Sequence, residues 1–210
     1  MSTAVPLPAQ PPEVGDKDFL VWELLLKGRP PSPFTQADLD ALPESSGYRF
    51  ELLDGILIVS PSPNLAHQRL AADLFMLLRS ACPADCEVLF GPFDLKPNAE
   101  RTFVPDVLVA RTADFDEKML TRAAPLLVVE VRSSSTGLYD RTTKRAVYAE
   151  WGVPSYWLAD PTEPSVWVLE LDDGDRYREV AVVRRGMSVE LTMPYPLTLA
   201  LPDIPPPPPG

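Results

Sequence analysis

Residues 126–131 read LLVVEV, and this stretch decides the fold class. Its residues are aliphatic at every position except Glu130. Successive side chains of a strand point to opposite faces, so an unbroken apolar run predicts a strand that is covered on both faces. We therefore expect residues 126–131 at the centre of a sheet with helices packed against it. Glu130 would be buried there, and because an unpaired buried carboxylate is costly, it needs a metal ion, a lysine or an arginine as its partner.

Strand and helix patterns extend from this strand in both directions. The clearest is a hairpin with strands at 48–53 and 56–60, because Asp54-Gly55 is typical of a two-residue turn. Helices are predicted near 18–26, over 35–42, over 65–80 behind the cap residue Asn64, and over 138–151. Further strands are predicted at 88–96 with a bend at Gly91-Pro92, at 105–110, at 155–159, at 165–171 and 177–184 as a second hairpin, and at 188–199 as an edge strand. This order predicts an α/β or α+β fold, in which a mixed β-sheet core is flanked by helices and carries an N-terminal and a C-terminal hairpin.

Composition limits the class of protein. The chain has 210 residues, of which 26 are proline, and a net charge of −11. The prolines cluster at the two ends, which predicts a disordered Pro-rich arm at 1–15, a single domain at 16–200 and a Pro-rich tail at 201–210. The sequence contains no apolar run of membrane-spanning length and no recognisable secretory signal, so we expect a cytoplasmic protein. The acidic balance argues against nucleic-acid binding over the whole surface and leaves room for a local contact.

Three charged residues stand in or beside the predicted sheet, in the order Asp106, Glu130, Lys144. Asp106 begins an apolar strand directly after Pro105, and Lys144 lies on the helix that follows the Glu130 strand. Lys144 and Tyr148 are four residues apart and share one helix face, so Lys144 can be directed back over the sheet at both carboxylates. Tyr148 itself is expected to pack in the core.

Two carboxylates and a lysine suggest one kind of chemistry. The carboxylates of Asp106 and Glu130 favour a hard cation such as Mg²⁺, with a main-chain carbonyl near Val131 as a third ligand. Such an ion lowers the pKa of a bound water, and Lys144 can orient that water or offset charge on a phosphate, which is the requirement for phosphodiester hydrolysis. A structural cluster of buried ion pairs would explain the same three residues without any metal ion.

Four segments carry a family resemblance. They are YRFELLDGILIVSPSPNLAHQRLAADL at 48–74, FVPDVLVA at 103–110, PLLVVEVRSSST at 125–136 and DRTTKRAVYAEWGVPSYWLADP at 140–161. In this order they resemble the Uma-type restriction endonuclease family (domain of unknown function 820), within the PD-(D/E)xK nuclease superfamily. The resemblance covers about residues 45–175. It implies a restriction-endonuclease-like core and an endonuclease that uses Mg²⁺ or Mn²⁺ to hydrolyse DNA.

The resemblance also implies roles for individual residues. Asp106 matches the PD aspartate and Glu130 the (D/E) position. The superfamily lysine would fall at position 132, where this chain has Arg132, so the chain departs from the superfamily pattern there. In the family this lysine is understood to lie on the following helix, which makes it Lys144.

Glu51 and His67 match two further polar positions of the family, where they would complete the metal shell or position water. Each also has a simpler explanation. Glu51 could lie on the solvent face of a strand next to the hairpin turn, and His67 could cap or pack near the start of its helix.

The remaining basic residues leave alternatives open. Arg132, Arg141 and Arg145 are candidate phosphate contacts, but Arg132 could instead pair with Glu130 and block the site, and Arg141 and Arg145 could lie on a solvated helix face. The rival to a nuclease is an inactive nuclease-fold scaffold or a nucleic-acid-binding module, and RNA or another phosphate ester remains an alternative substrate. DNA is the expected partner, and a homodimer is expected because two copies most simply cut both strands.

Overall fold

The computed structural model describes residues 33–42, 48–115, 123–133 and 140–201, without the side chains of 140 and 141. The predictions for the arm at 1–15, the helix near 18–26 and, apart from Leu201, the tail at 201–210 lie outside these residues. The helices are α1 (Gln36–Asp40), α2 (Leu65–Ala81) and α3 (Arg145–Trp151), with a 3₁₀ turn at Thr112–Asp114 and a π-helical turn at Asp140–Lys144 directly before α3. The strands are β1 (Tyr48–Leu53), β2 (Ile56–Pro61), β3 (Cys86–Phe90), β4 (Leu95–Asn98), β5 (Arg101–Phe103), β6 (Val107–Arg111), β7 (Leu127–Val131), β8 (Ser155–Asp160), β9 (Ser165–Leu171), β10 (Tyr177–Arg184), β11 (Ser188–Leu191) and β12 (Leu197–Ala200).

In the described part of the chain, the main sheet has six strands in the order β10-β9-β8-β7-β6-β3. β7 and β8 run parallel and the other neighbours run antiparallel, so the sheet is mixed. β7 contains most of the LLVVEV stretch, and every one of its residues is buried. Val129 lies in the core beneath α2, whereas Val128 lies in the core on the α3 side. The prediction of a central strand covered on both faces is therefore confirmed, and the fold is a mixed α+β fold.

A smaller sheet contains the predicted N-terminal hairpin. Its strand order among the described residues is β2-β1-β5-β4. Asp54 and Gly55 between β1 and β2 have φ values of +48° and +85°, which the two-residue turn requires. Phe103 of β5 packs on Tyr148 of α3, with ring centroids 5.5 Å apart. The small sheet thus packs on the same side of the main sheet as α3.

The helices begin and end at residues that the sequence marks. The Asn64 side chain accepts a hydrogen bond from the His67 backbone N–H at 3.0 Å and caps α2. This cap fixes the first turn of α2, so that His67 is buried on the same helix face as Leu70 and Leu74. α3 is followed by Gly152, whose φ of +83° ends the helix. No helix in the described residues combines the length and apolar character needed to cross a membrane.

Two strand predictions are wrong in detail. The segment predicted as one bent strand at 88–96 is two strands, β3 and β4, which belong to different sheets. At the break, the Gly91 N–H donates to the Asp106 carbonyl at 2.9 Å, and a Cβ at Gly91 would stand 2.7 Å from the Pro105 carbonyl oxygen. The segment predicted as one edge strand at 188–199 is a separate hairpin of β11 and β12. Pro194 and Pro196 lie between these strands and have no backbone N–H to donate to a ladder.

Candidate active site

Four buried charged side chains come from four different elements. Glu51 is on β1, Asp106 immediately precedes β6, Glu130 is on β7, and Lys144 ends the π-helical turn before α3. Their exposed fractions are 3, 4, 2 and 3%, respectively. The sequence order Asp106, Glu130, Lys144 therefore does correspond to residues that the fold brings together, and Glu51 belongs with them rather than on a solvent face.

Lys144 bridges two carboxylates. Its Nζ lies 2.8 Å from Glu51 Oε1 and 3.0 Å from Glu130 Oε1. The Tyr148 hydroxyl also donates to Glu130 Oε1, at 3.0 Å. Burial, and then the charge of Glu130, hold the pKa of Tyr148 well above its ordinary value, so this hydroxyl keeps its proton. The shared face predicted for Lys144 and Tyr148 is confirmed, although the expected core tyrosine also touches the carboxylate cluster.

Asp106 has a different set of partners. Arg49 donates to its Oδ1 at 2.9 Å, and His67 Nε2 and the Val131 N–H lie 3.1 and 2.8 Å from its Oδ2. Burial by itself would raise the pKa of Asp106, but the hydrogen bond from His67, the charge of Arg49 and the Val131 N–H together lower it below its ordinary range. Asp106 is thus held as a carboxylate. The sequence predicted that Lys144 is directed at both Asp106 and Glu130. In the structure Lys144 pairs with Glu130 and Glu51, whereas the ion-pair partners of Asp106 are Arg49 and His67.

Glu51 also links the two sheets through the backbone. Its Oε1 accepts the Val104 N–H at 2.8 Å in addition to the Lys144 ammonium. Val104 lies between β5 of the small sheet and Asp106. One carboxylate oxygen therefore fixes both the lysine and the segment that leads into Asp106.

A small cavity of about 30 Å³ lies among these side chains, which is room for one or two water molecules. Its charged lining is Arg49, Glu51, Asp106, Glu130 and Lys144, together with His67. Three carboxylates face two permanent cations, so the described lining has a net charge of −1 when His67 is left out of the count. His67 Nδ1 is buried and has no hydrogen-bond partner in the described structure. A ligand in this cavity would meet a net negative charge.

The oxygen donors of this cavity match the needs of a divalent ion. In the described ranges, no three His, Cys, Asp or Glu side chains converge as a preformed metal cage. Mg²⁺ does not need such a cage, because it is commonly held by one or two carboxylates with waters and substrate phosphate oxygens completing the octahedron. Asp106 and Glu130 supply hard oxygen donors on one cavity with a net negative charge, so their chemistry fits such an ion.

The small cavity adjoins an open groove of about 880 Å³. Arg49, Pro63 and Asp106 line both spaces. The groove continues past the rings of Tyr48, Phe50 and Phe90. At Arg49, whose side chain is 24% exposed, the wall of the groove is open to solvent, whereas Asp106 is only 4% exposed.

The other predicted basic residues lie elsewhere. Arg132 pairs with Asp160 at the end of β8, so it does not block Glu130 as the sequence allowed. Arg145 is half-buried and donates to the Tyr177 carbonyl at 2.6 Å, so it is not on a solvated helix face. The side chain of Arg141 lies outside the described structure.

Sequence reasoning missed Arg49 and the hydroxyl of Tyr148. Arg49 and Glu51 are two residues apart on one strand, and side chains at that spacing share a face. Once Glu51 is a candidate, the same spacing selects Arg49. The contact of Tyr148 with Glu130 follows from its helix face, which the sequence did indicate.

The fold of this chain resembles a solved structure, and its sequence matches a family model. The crystal structure of a putative nuclease belonging to DUF820 from Anabaena variabilis matches with a TM-score of 0.62 and 19% sequence identity, over 77% of this chain and 90% of that chain. This likeness shows the fold. No curated protein matches the sequence. The family model Uma2, described as "Putative restriction endonuclease", matches residues 36–202. That match spans most of the chain, and the protein therefore belongs to the Uma2 family of putative restriction endonucleases.

Proposed function

We propose that this protein is a metal-dependent endonuclease that hydrolyses DNA phosphodiester bonds, with its active site at the Glu51–Asp106–Glu130–Lys144 cluster. Membership of a restriction endonuclease family supports a nuclease function in general. The observation that supports the site is the convergence of Asp106, Glu130 and Lys144 on one small cavity with a net negative charge. Asp106 and Glu130 would hold Mg²⁺ or Mn²⁺, with the main-chain carbonyl near Val131 as a further ligand. When bound, the ion supplies Lewis-acid stabilisation of the phosphate and lowers the pKa of a bound water.

The protein's own groups orient the reaction. Lys144 donates from a fixed position between Glu51 and Glu130, so its ammonium orients the attacking water and offsets negative charge on the phosphate. Glu51 and Tyr148 hold the lysine and Glu130 in this geometry.

On the groove side, Arg49 and His67 hold Asp106 as a carboxylate. Arg49 is partly exposed to the open groove, so its guanidinium can also meet a phosphate oxygen of the substrate. We assign His67 the supporting role of orienting Asp106 and a water near its Nδ1.

The test is plasmid cleavage with Mg²⁺ or Mn²⁺. We expect Asp106→Asn, Glu130→Gln and Lys144→Met to lose cleavage, whereas Asp73→Asn, a change of an exposed carboxylate on α2, retains it. Thermal unfolding of each variant separates loss of activity from loss of fold. Equal cleavage by all of the variants and the wild type would refute the assignment. Supercoiled plasmid and single-stranded RNA run in parallel distinguish DNA from RNA as the substrate.

The rival is an inactive scaffold that keeps the nuclease fold. The Glu130–Lys144 ion pair favours it, because these two groups already neutralise each other in the absence of an ion. Calorimetric titration with Mn²⁺ discriminates the two functions. Binding that Asp106→Asn abolishes supports the nuclease, and no binding at millimolar Mn²⁺ together with no cleavage supports the scaffold. The homodimer proposed for double-strand cutting is tested by sedimentation.

A further inference from the structure

Two arginines border a second cavity, separate from the carboxylate cluster. This cavity has a volume of about 120 Å³, enough for several water molecules and therefore for a phosphate group. Its lining includes Arg132, Arg145 and Trp167 of β9. Glu179, on an exposed part of β10, also borders the cavity, but neither guanidinium forms an ion pair with it.

The hydrogen-bonding capacity of the two guanidinium groups is incompletely used. Arg132 pairs with Asp160 through one terminal nitrogen, while its Nε is buried and has no partner in the described structure. Arg145 donates to the Tyr177 carbonyl, and no carboxylate of the described residues forms an ion pair with it. A half-buried cation without a counter-charge and a buried donor without an acceptor are both unfavourable, and both would be satisfied by an oxyanion.

The position of the two arginines in the chain, next to residues of the carboxylate cluster, suggests which oxyanion would bind there. Arg132 follows Glu130 by two residues, so the two side chains share a strand face about 6.6 Å apart along the backbone. Arg145 directly follows Lys144. The short stretches 130–132 and 144–145 thus carry both the charged pair of the cluster, Glu130 and Lys144, and the arginine pair of the second cavity. A nucleic-acid strand carries a phosphate on every nucleotide, so a strand with one phosphate at the cluster carries others nearby.

We propose that Arg132 and Arg145 form an accessory phosphate site, which binds a backbone phosphate of the nucleic acid near the one that is hydrolysed. This inference rests on the proposed function. The site positions the strand and does not take part in the bond-breaking step. Because phosphate contacts carry no sequence information, it contributes affinity and register rather than base recognition.

The experiment measures DNA binding without cleavage. A fluorescein-labelled DNA duplex is titrated with protein in Ca²⁺, which takes oxygen ligands as Mg²⁺ does, and a gel checks that the duplex stays intact. Anisotropy is followed over a series of salt concentrations for the wild type, Arg145→Gln and Arg132→Gln. The matched control is Arg178→Gln, which removes an arginine that is 67% exposed on β10. Thermal unfolding verifies that Arg132→Gln, which also loses the Asp160 pair, remains folded.

We expect Arg145→Gln to bind about tenfold more weakly, the loss of about one charged hydrogen bond. The slope of log K against log salt should fall in magnitude by about 0.9, the contribution of one phosphate contact. Arg132→Gln should act in the same direction, and Arg178→Gln should match the wild type. Arg145→Gln with wild-type affinity and slope would overturn the proposal.

Three further outcomes separate this inference from others. If Arg145→Gln loses calorimetric binding of inorganic phosphate but keeps the wild-type salt slope for DNA, the cavity takes free phosphate and the proposal is wrong. If the wild type binds DNA through Arg145 but does not cleave it, the accessory site stands and the proposed function fails. If the wild type cleaves DNA and both arginine variants behave like Arg178→Gln, only the accessory site fails.

Discussion

Replacing Lys144 by methionine removes the cation that separates Glu51 from Glu130. Both carboxylate oxygens lie within 3.0 Å of the lysine nitrogen, so without it two like charges remain at most about 6 Å apart. At an effective dielectric constant of about 20, two unit charges at about 6 Å repel by about 3 kcal/mol. This repulsion should therefore favour the uptake of a proton by one of the two carboxylates in Lys144→Met.

The loss of stability follows from the same contacts. Removing one partner of a buried ion pair costs about 3–5 kcal/mol, and here two carboxylates lose the cation that they share. For a domain of this size, each kcal/mol lowers the melting temperature by about 2–4 °C, so Lys144→Met should melt about 6–20 °C below the wild type. Because protonation relieves the repulsion, the deficit should be largest near pH 8 and smaller near pH 5.

Scanning calorimetry at the two pH values measures both effects. The double variant Lys144→Met/Glu130→Gln is the matched control, because it removes the repulsion as well as the cation and should recover part of the lost stability at pH 8. A melting temperature within 2 °C of the wild type, or a deficit of the same size at both pH values, would refute the reasoning.

Three further predictions concern neighbours of the cluster. Gly91→Ala should destabilise the protein and reduce cleavage. The added Cβ would stand 2.7 Å from the Pro105 carbonyl oxygen and would displace the backbone that carries Asp106. Urea unfolding measures the loss of stability, and a plasmid assay measures the loss of cleavage. Tyr148→Phe should lower the free energy of unfolding by about 1–3 kcal/mol, since Glu130 loses a buried donor; an unchanged value in urea unfolding would contradict this. The pKa of Asp106 is lower in the folded protein than in the unfolded chain, where it is about 3.9, so ionised Asp106 stabilises the fold above that pH. This stabilisation is lost as the pH falls through the lower pKa of the folded state, and the difference in stability between wild type and Asp106→Asn should therefore shrink in that acid range. Unfolding curves between about pH 2 and pH 7 check the sign.

Local patterns predicted the central part of the fold. The LLVVEV run is a central strand because unbroken apolar character requires cover on both faces, and Asp54-Gly55 forms the two-residue turn because both residues adopt positive φ. The edge of the fold was less predictable. Whether residues 188–199 pair with the main sheet or with each other depends on tertiary packing, which strand propensity does not encode.

The partners of the charged residues needed tertiary information. That Glu130 requires a cation follows from its burial alone, but the sequence left a metal ion, a lysine or an arginine open as that cation. The helix face of Lys144 indicated only that this lysine can be directed at the carboxylates, and the structure pairs it with Glu130. The partner of Arg132, in contrast, is Asp160, which lies at the end of the parallel neighbour strand β8. The sequence indicates that β8 exists but not that it runs parallel beside β7, so the alternative pair with Glu130 stayed open. The spacing from Glu51 could have selected Arg49, but the pairing of Arg49 with Asp106 depends on how β1 packs against the main sheet, which the sequence does not show.

The Glu51–Lys144 contact joins the two sheets, and this has a consequence for how the molecule opens. Glu51 belongs to the small sheet, whereas Lys144 belongs to the connection between the parallel strands β7 and β8. Local opening of the hairpin alone would leave Lys144 with Glu130 as its remaining carboxylate partner in the described contacts, and would leave Asp106 without Arg49. Opening of the hairpin alone is therefore unfavourable. The opening free energy measured by amide hydrogen exchange should be the same for the hairpin as for the main sheet, because the two open as one cooperative unit. The charges of the proposed active site would then also make the two sheets a single foldon.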